Sequence, residues 1–224
     1  MVPGAIAYYR FDEGAGQILH DYSGNGNHGT LGSTAGVDTN DPAWNAQGLV
    51  FAGDDHVNCG TGVDASVAGL TVMAVVNSAA DTEQAIAAKG VGTGATGTGW
   101  YLEKRTGANR YAARVYDSTG AFKTCFYPSA HANGTWGMIS LVADGLSIRL
   151  YSGISAGTPV DCVGLTPAPA QQLVLGKLSY TGGFYLTGGI AAIYALPFAL
   201  SPSQIAQTYA YEKAHLAPKQ VFLP

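Results

Sequence analysis

The sequence predicts an all-β chain, a two-sheet antiparallel β-sandwich completed by one short C-terminal helix. Three observations carry this expectation. Glycine supplies 31 of the 224 residues while charged residues make up only 12%, the composition of many short strands joined by tight turns. Apolar residues recur with period two in short runs, and those runs are punctuated by Gly, Asp and Asn, which accept the dihedrals that tight turns need. Ser201-Pro202-Ser203-Gln204 has the signature of a helix start, with a capping serine, a proline where no donor is needed and a glutamine that can reach back. Sandwiches of about 200–250 residues are common as single domains. One domain is therefore expected over residues 1–216, followed by a tail at 217–224 that wanders or docks on a partner. No repeat of about 20–50 residues is visible, which disfavours a propeller or solenoid.

Residues 5–11 place Ala7, Tyr9 and Phe11 on one face of a strand and Ile6, Tyr8 and Arg10 on the other. This strand is expected beside the C-terminus in space. The stretch 19–31, LHDYSGNGNHGTL, crowds Asp21, Ser23, Gly24, Asn25, Gly26, Asn27 and Gly29 together and reads as a tightly folded loop. Its exposed carbonyls, amides and short polar side chains suit it to hold a strand end, a cation or a sugar. Residues 32–46 read as a polar surface loop that contains Trp44 and turns at Asp41-Pro42. Residues 47–52 and 56–59 are expected as two short strands, with Gly53-Asp54-Asp55 between them a hairpin signal. The run 70–77 is almost continuously apolar, as in a strand covered on both faces.

A short strand at 83–89 leads to a Gly/Thr-rich stretch, 90–99, expected as a mobile loop. Strands at 100–105, 110–116 and 121–127 follow at the spacing of a meander. Residues 135–143 and 146–151 make the clearest hairpin, turning at Asp144-Gly145, with Trp136 expected in the core. Strands at 160–163, 173–175 and 184–196 and a helix from Ser201 to about Lys213 complete the order.

Several of these segments carry a family likeness. Ala7-Tyr8-Tyr9-Arg10-Phe11-Asp12-Glu13-Gly14-Ala15-Gly16 with Asp21-Tyr22-Ser23-Gly24-Asn25-Gly26-Asn27-His28-Gly29-Thr30 resembles the opening of laminin-G-like domains of the concanavalin A-like lectin/glucanase superfamily. Residues 48–57, 134–151 and 188–201 resemble, in the family's order, its second strand pair, its central hairpin, and its closing strand with the helix start after it. The resemblance implies a jelly roll. This fold hosts lectins, hydrolases and adhesion modules alike, so function has to be argued from residues.

Composition excludes some classes of partner. A net charge of −4 with scattered Lys and Arg gives no basic field for nucleic acid or an anionic membrane. No run is long enough to span a bilayer, and the N-terminus lacks a signal peptide's basic flank and apolar run. A soluble chain is expected, at work outside the cell or on a virion surface. Cys59, Cys125 and Cys162 fit no zinc or redox spacing and read as buried free thiols.

A retaining glycosidase needs two carboxylates about 5 Å apart, and the Glu-x-Asp-x-x-Glu pattern of the superfamily's glucanase branch is absent. No catalytic residue is therefore assigned. His28 reads as a turn-stabilising hydrogen-bond partner. The resemblance also implies calcium held by the Gly/Asn loop and an acidic pair on the closing strand, positions occupied here by Gly189 and Ala192. Asp21, Asn25, Asp54 and Asp55 remain as oxygen donors for a weaker, structural Ca2+ site, with Asp21 as a brace for turn amides the competing reading.

Sugar recognition needs a flat aromatic surface flanked by planar hydrogen-bonding groups. Trp44, Trp100, Tyr116, Tyr127 and Tyr180 lie in or near loops and are the candidates, while Tyr8, Tyr9 and Tyr194 read as packing residues. Two functions stay open. One is a non-catalytic, lectin-like recognition or adhesion module binding glycan or a protein surface through its loops. The other is a structural, decoration or host-attachment subunit of a larger assembly, such as a phage virion or a homo-oligomer.

Overall fold

The computed structural model describes residues 3–64, 68–92, 97–178 and 183–224. In chain order the strands are β1 (Ala7–Tyr9), β2 (Ile18–Leu19), β3 (Gly29–Leu31), β4 (Ala43–Trp44), β5 (Leu49–Ala52), β6 (Val57–Asn58), β7 (Leu70–Ser78), β8 (Gln84–Gly92) and β9 (Gly97–Arg105). They continue with β10 (Arg110–Tyr116), β11 (Phe122–Phe126), β12 (Trp136–Ala143), β13 (Ser147–Ser152), β14 (Ser155–Ala156), β15 (Val160–Asp161), β16 (Leu173–Leu175) and β17 (Thr187–Leu196). Helix α1 (Pro202–Leu216) and a 3-10 turn, Ala217–Lys219, follow. A nine-stranded sheet runs β14-β13-β12-β7-β17-β5-β4, with β1 also on β17 and β15 on β13. An eight-stranded sheet runs β11-β10-β9-β8-β16-β6-β3-β2. The chain is thus the expected antiparallel two-sheet sandwich.

Strand alternation sorts the apolar residues into layers. Val72, Ala74 and Val76 of β7 meet Trp100, Leu102 and Tyr111 of the other sheet in the central core. Met73 and Val75 point outward, where Ile205 and Leu216 of α1 cover them. This accounts for the unbroken apolar run in β7, since both of its faces are buried. Ser201 caps α1 by accepting from the Gln204 amide at 3.3 Å, while its own amide donates to Gln204 Oε1 at 2.9 Å. The helix runs past the expected Lys213 to Leu216, because Glu212 and Leu216 are buried against the sheet. The tail does not wander. Val221 and Leu223 join the same outer apolar layer, which places it on the chain's own sheet.

The loop at 19–31 is narrower than its composition suggests, since β2 and β3 take its ends. Asp21 organises the middle. Its Oδ1 accepts the amides of Tyr8 and Ser23 at 3.0 and 2.9 Å, and its Oδ2 accepts the Ser23 hydroxyl and the Asn27 amide at 2.8 and 2.9 Å. Asn25 and Asn27 donate to the carbonyls of Ala5 and Ile6, and His28 Nδ1 accepts from the Asp21 amide. The loop is thereby sewn to β1. Part of the stretch expected as a mobile loop, 90–99, belongs to the β8–β9 pair instead, where Gly90 faces Gly99; residues 93–96 lie outside the described residues. Within the expected loop 32–46, Ala43–Trp44 pairs with β5. All three cysteines are buried and free, and burial pushes the Cys59 thiol up to about 12.

Candidate functional site

Among the described residues, the aromatic candidates chosen from the sequence do not assemble into one platform. Trp100 and Tyr116 lie on strands with 1% and 2% of their surface exposed, so neither ring offers a face to a ligand. Trp100 fills the inter-sheet core, and Tyr116 packs with Tyr101 and Leu178 on the far side of the eight-stranded sheet. Trp44 and Tyr127 are half-buried against the core, and the Trp44 indole donates to the Gly16 carbonyl at 2.9 Å. Tyr180 lies outside the described residues. Tyr8 and Tyr194 stack at 4.1 Å between ring centroids beneath α1, in the packing role expected of them.

The acidic candidates are likewise engaged in the fold. Both oxygens of Asp21 serve loop amides and a hydroxyl, the bracing role, and the Asn25 amide serves Ala5. Asp54 is exposed, whereas Asp55 is buried and accepts the Ala52 amide at 2.7 Å. Burial raises the Asp55 carboxyl above its ordinary value. Among the described residues no group of three His, Cys, Asp or Glu side chains could hold a metal ion.

A different set of residues forms an open site on the outer face of the nine-stranded sheet. Register places Trp136 of β12 opposite Asn77 of β7, Asn77 opposite Gly189 of β17, and Gly189 opposite Val50 of β5. These four positions form one row across four strands, on one face of the sheet. Gly189 contributes no side chain, which leaves a gap in the row. Trp136, half-buried rather than in the core as its position suggests, spreads across that gap. A Cβ built on Gly189 would lie 2.8 Å from its Cη2 and 3.2 Å from its Cζ2. The resulting pocket holds about 230 Å³, and among the described residues none of its lining side chains is ionisable.

Planar amides border the ring. Asn77 Nδ2 donates to the Gly134 carbonyl at 3.1 Å. Asn45 Oδ1 accepts the amides of Gln47 and Gly48 at 2.8 and 2.9 Å, and Gln47 Nε2 donates to the Gln220 carbonyl at 3.0 Å. Each amide is fixed through one end. Chemically this is an aromatic face with fixed neutral donors and acceptors, suited to C–H faces and hydroxyl rims. A second cavity of about 480 Å³, bordered by Asn45, Gln47, Pro218, Lys219 and Gln220, adjoins it.

The sequence did carry one signal for this site. A glycine inside an otherwise apolar strand marks a close approach or a gap, and Gly188-Gly189 on the closing strand is such a mark.

Two other surfaces are less suited to a sugar. A depression of about 390 Å³ at the N-terminal end of α1 is bordered by Asp144, Arg149 and Tyr151, but Tyr151 is 4% exposed and its ring is covered. On the outer face of the eight-stranded sheet, Glu103 meets Arg114 at 2.5 Å and Arg105 at 3.7 Å, and Arg105 meets Glu83 at 2.7 Å. Two arginines are therefore spent on two glutamates. Burial lifts Glu103 to about 7 against the pull of Arg114 and Arg105. Among the described residues no helix is long and apolar enough to cross a membrane.

No protein-family model and no curated protein match the chain, but solved structures do. The botulinum neurotoxin serotype G binding domain superposes with a TM-score of 0.66 and 15% identity, over 94% of this chain and 51% of that one. The serotype D ligand binding domain, in complex with N-acetylneuraminic acid, gives 0.63 and 14% over 93% and 51%. The CBM40 of Ruminococcus gnavus IT-sialidase, bound to alpha2,3 sialyllactose, gives 0.51 and 15% over 64% and 84%. At these identities the likeness establishes a shared β-sandwich fold. The chain spans about half the length of the neurotoxin domains.

Proposed function

We propose that this chain is a non-catalytic recognition module that binds a neutral glycan in the pocket around Trp136. The observation that carries the reading is the row Trp136, Asn77, Gly189 and Val50, in which a missing side chain exposes an aromatic ring between fixed amides. The binding roles of the structural neighbours support a recognition module, and the order of the sequence segments supports the laminin-G-like branch of the sandwich. Their sialic acid is not carried over. A sugar carboxylate in the Trp136 pocket would meet amides and no cation. A module of this kind works outside the cell or on a particle surface.

The test is a glycan array followed by titration of the sugars that bind. Binding is expected to saturate and to be lost in Trp136→Ala, while Phe122→Ala on the opposite sheet keeps it, with thermal melts confirming that both variants fold. Undiminished binding in Trp136→Ala refutes the proposed site. A folded, monodisperse oligomer silent on every sugar supports the other reading, a subunit of a larger assembly.

A further inference from the structure

We infer that the module grips an extended stretch of a neutral glycan chain rather than a single terminal sugar, the chain running from the Trp136 pocket across Asn45 and Gln47 towards Lys219. This rests on the glycan reading above. The Trp136 pocket alone, at about 230 Å³, falls short of the range of about 300–1,000 Å³ in which small-molecule sites lie. The adjoining cavity of about 480 Å³ shares Asn45 and Gln47 as its border, and with it the site enters that range. Those two amides stand where the cavities meet, placed to contact consecutive sugars. The row from Trp136 to Val50 crosses three strand spacings, about 14 Å, longer than one pyranose ring.

The walls of the second cavity are already fixed. Lys219 Nζ donates to the carbonyls of Arg10 and Phe11 at 3.0 and 3.2 Å. Gln220 turns in the left-handed region at φ 59° and its amide donates to Ala217. Just beyond it, Val221 and Leu223 are buried. A groove so braced binds without first being ordered, which lowers the cost of holding a flexible chain. Its chemistry is neutral along most of its length, since Lys219 is the one ionisable residue among the described lining of the two cavities and two of its donors are taken.

The experiment is calorimetric titration with cello-, xylo-, malto- and chito-oligosaccharides of one to six units. In the series that binds, affinity is expected to rise about tenfold or more between one and three units, a gain of about 1.4 kcal/mol per tenfold, and then to level off. The exposed plug Ala46→Arg, at a position that lines the second cavity and not the Trp136 pocket, is expected to abolish that gain while leaving monosaccharide affinity unchanged. Equal affinity at every length, with binding still lost in Trp136→Ala, overturns the inference and leaves the glycan reading standing. Silence across all four series in a folded protein overturns the inference along with the neutral-glycan reading.

Discussion

Gly188 and Gly189 are neighbours on β17 that meet different atoms, and alanine at each separates a side-chain contact that can yield from a backbone contact that cannot. At Gly189 the backbone is not in the left-handed region, and a new Cβ would press on the rim of the Trp136 ring at 2.8 Å, with Leu49 O at an ordinary 3.6 Å. Comfortable carbon contacts lie near 3.5–4.0 Å, so the ring must move by about 1 Å. It can do so, being half-exposed. The overpacking cost of about 1–3 kcal/mol is relieved by that movement and partly offset by about 0.4–1 kcal/mol from a stiffer unfolded chain. At Gly188 φ is 144° and a Cβ would sit 1.9 Å from the Asn77 carbonyl oxygen, in the backbone of the neighbouring strand. Backbone cannot swing aside there.

Strain of about 3 kcal/mol or more follows, and for a chain of this size each kcal/mol moves Tm by about 2–4 °C. Gly188→Ala is therefore expected to melt about 6–12 °C below wild type, whereas Gly189→Ala stays within about 4 °C of it. Sugar affinity should be about tenfold weaker in Gly189→Ala, a loss of about 1.4 kcal/mol, at a temperature where that variant is fully folded. Calorimetry measures both quantities. Trp136 fluorescence reports the displaced ring against the buried Trp100 and the hydrogen-bonded Trp44. Equal melting temperatures for the two variants, or unchanged affinity and fluorescence in Gly189→Ala, would refute the geometry.

Glu212 is fully buried on the sheet-facing side of α1, where its Oε1 accepts the hydroxyls of Tyr8 and Tyr194. Glu212→Ala removes the acceptor that both buried hydroxyls share and is expected to cost about 2–4 kcal/mol, read by urea denaturation and by faster hydrogen exchange in α1; a loss below about 1 kcal/mol would contradict it. Glu103 titrates near 7 in the fold against about 4.5 when exposed, because of its burial. Between those values the folded state holds a proton that the unfolded state has released, so this group's contribution to stability falls as pH rises through the window. The stability of wild type relative to Glu103→Gln should therefore decline by up to about 3 kcal/mol from pH 4.5 to 8, with the Glu103 carboxyl carbon titrating near 7 by NMR. A flat difference, or a midpoint below 5, would show that the arginines outweigh burial.

Much of the scaffold was legible in the residue order. The doubly buried strand at β7, the turn at Asp144-Gly145, the capping box at Ser201 and the Asp21 brace are all written within a few neighbouring residues. The site was not legible in the same way. Trp100 and Tyr116 look like loop-side platforms by position, yet β9 turns Trp100 into the inter-sheet core and β10 packs Tyr116 against Tyr101 and Leu178 on the far side of its sheet. Trp136 looks like core, yet it stands on an outer face whose central position lacks a side chain.

Period-two patterning, turn dihedrals and helix capping act over one to four residues, so the sequence by itself determined that this chain would form short antiparallel strands, tight glycine turns and one terminal helix. Which side chains meet is a property of register among β12, β7, β17 and β5, strands far apart in the chain and aligned only when the core between the sheets closes. The tertiary structure alone brought Trp136, Asn77, Gly189 and Val50 into one row. It also laid the C-terminal tail beside Gln47, because burying Val221 and Leu223 against the outer layer removes apolar surface from water that no local contact along the chain could cover.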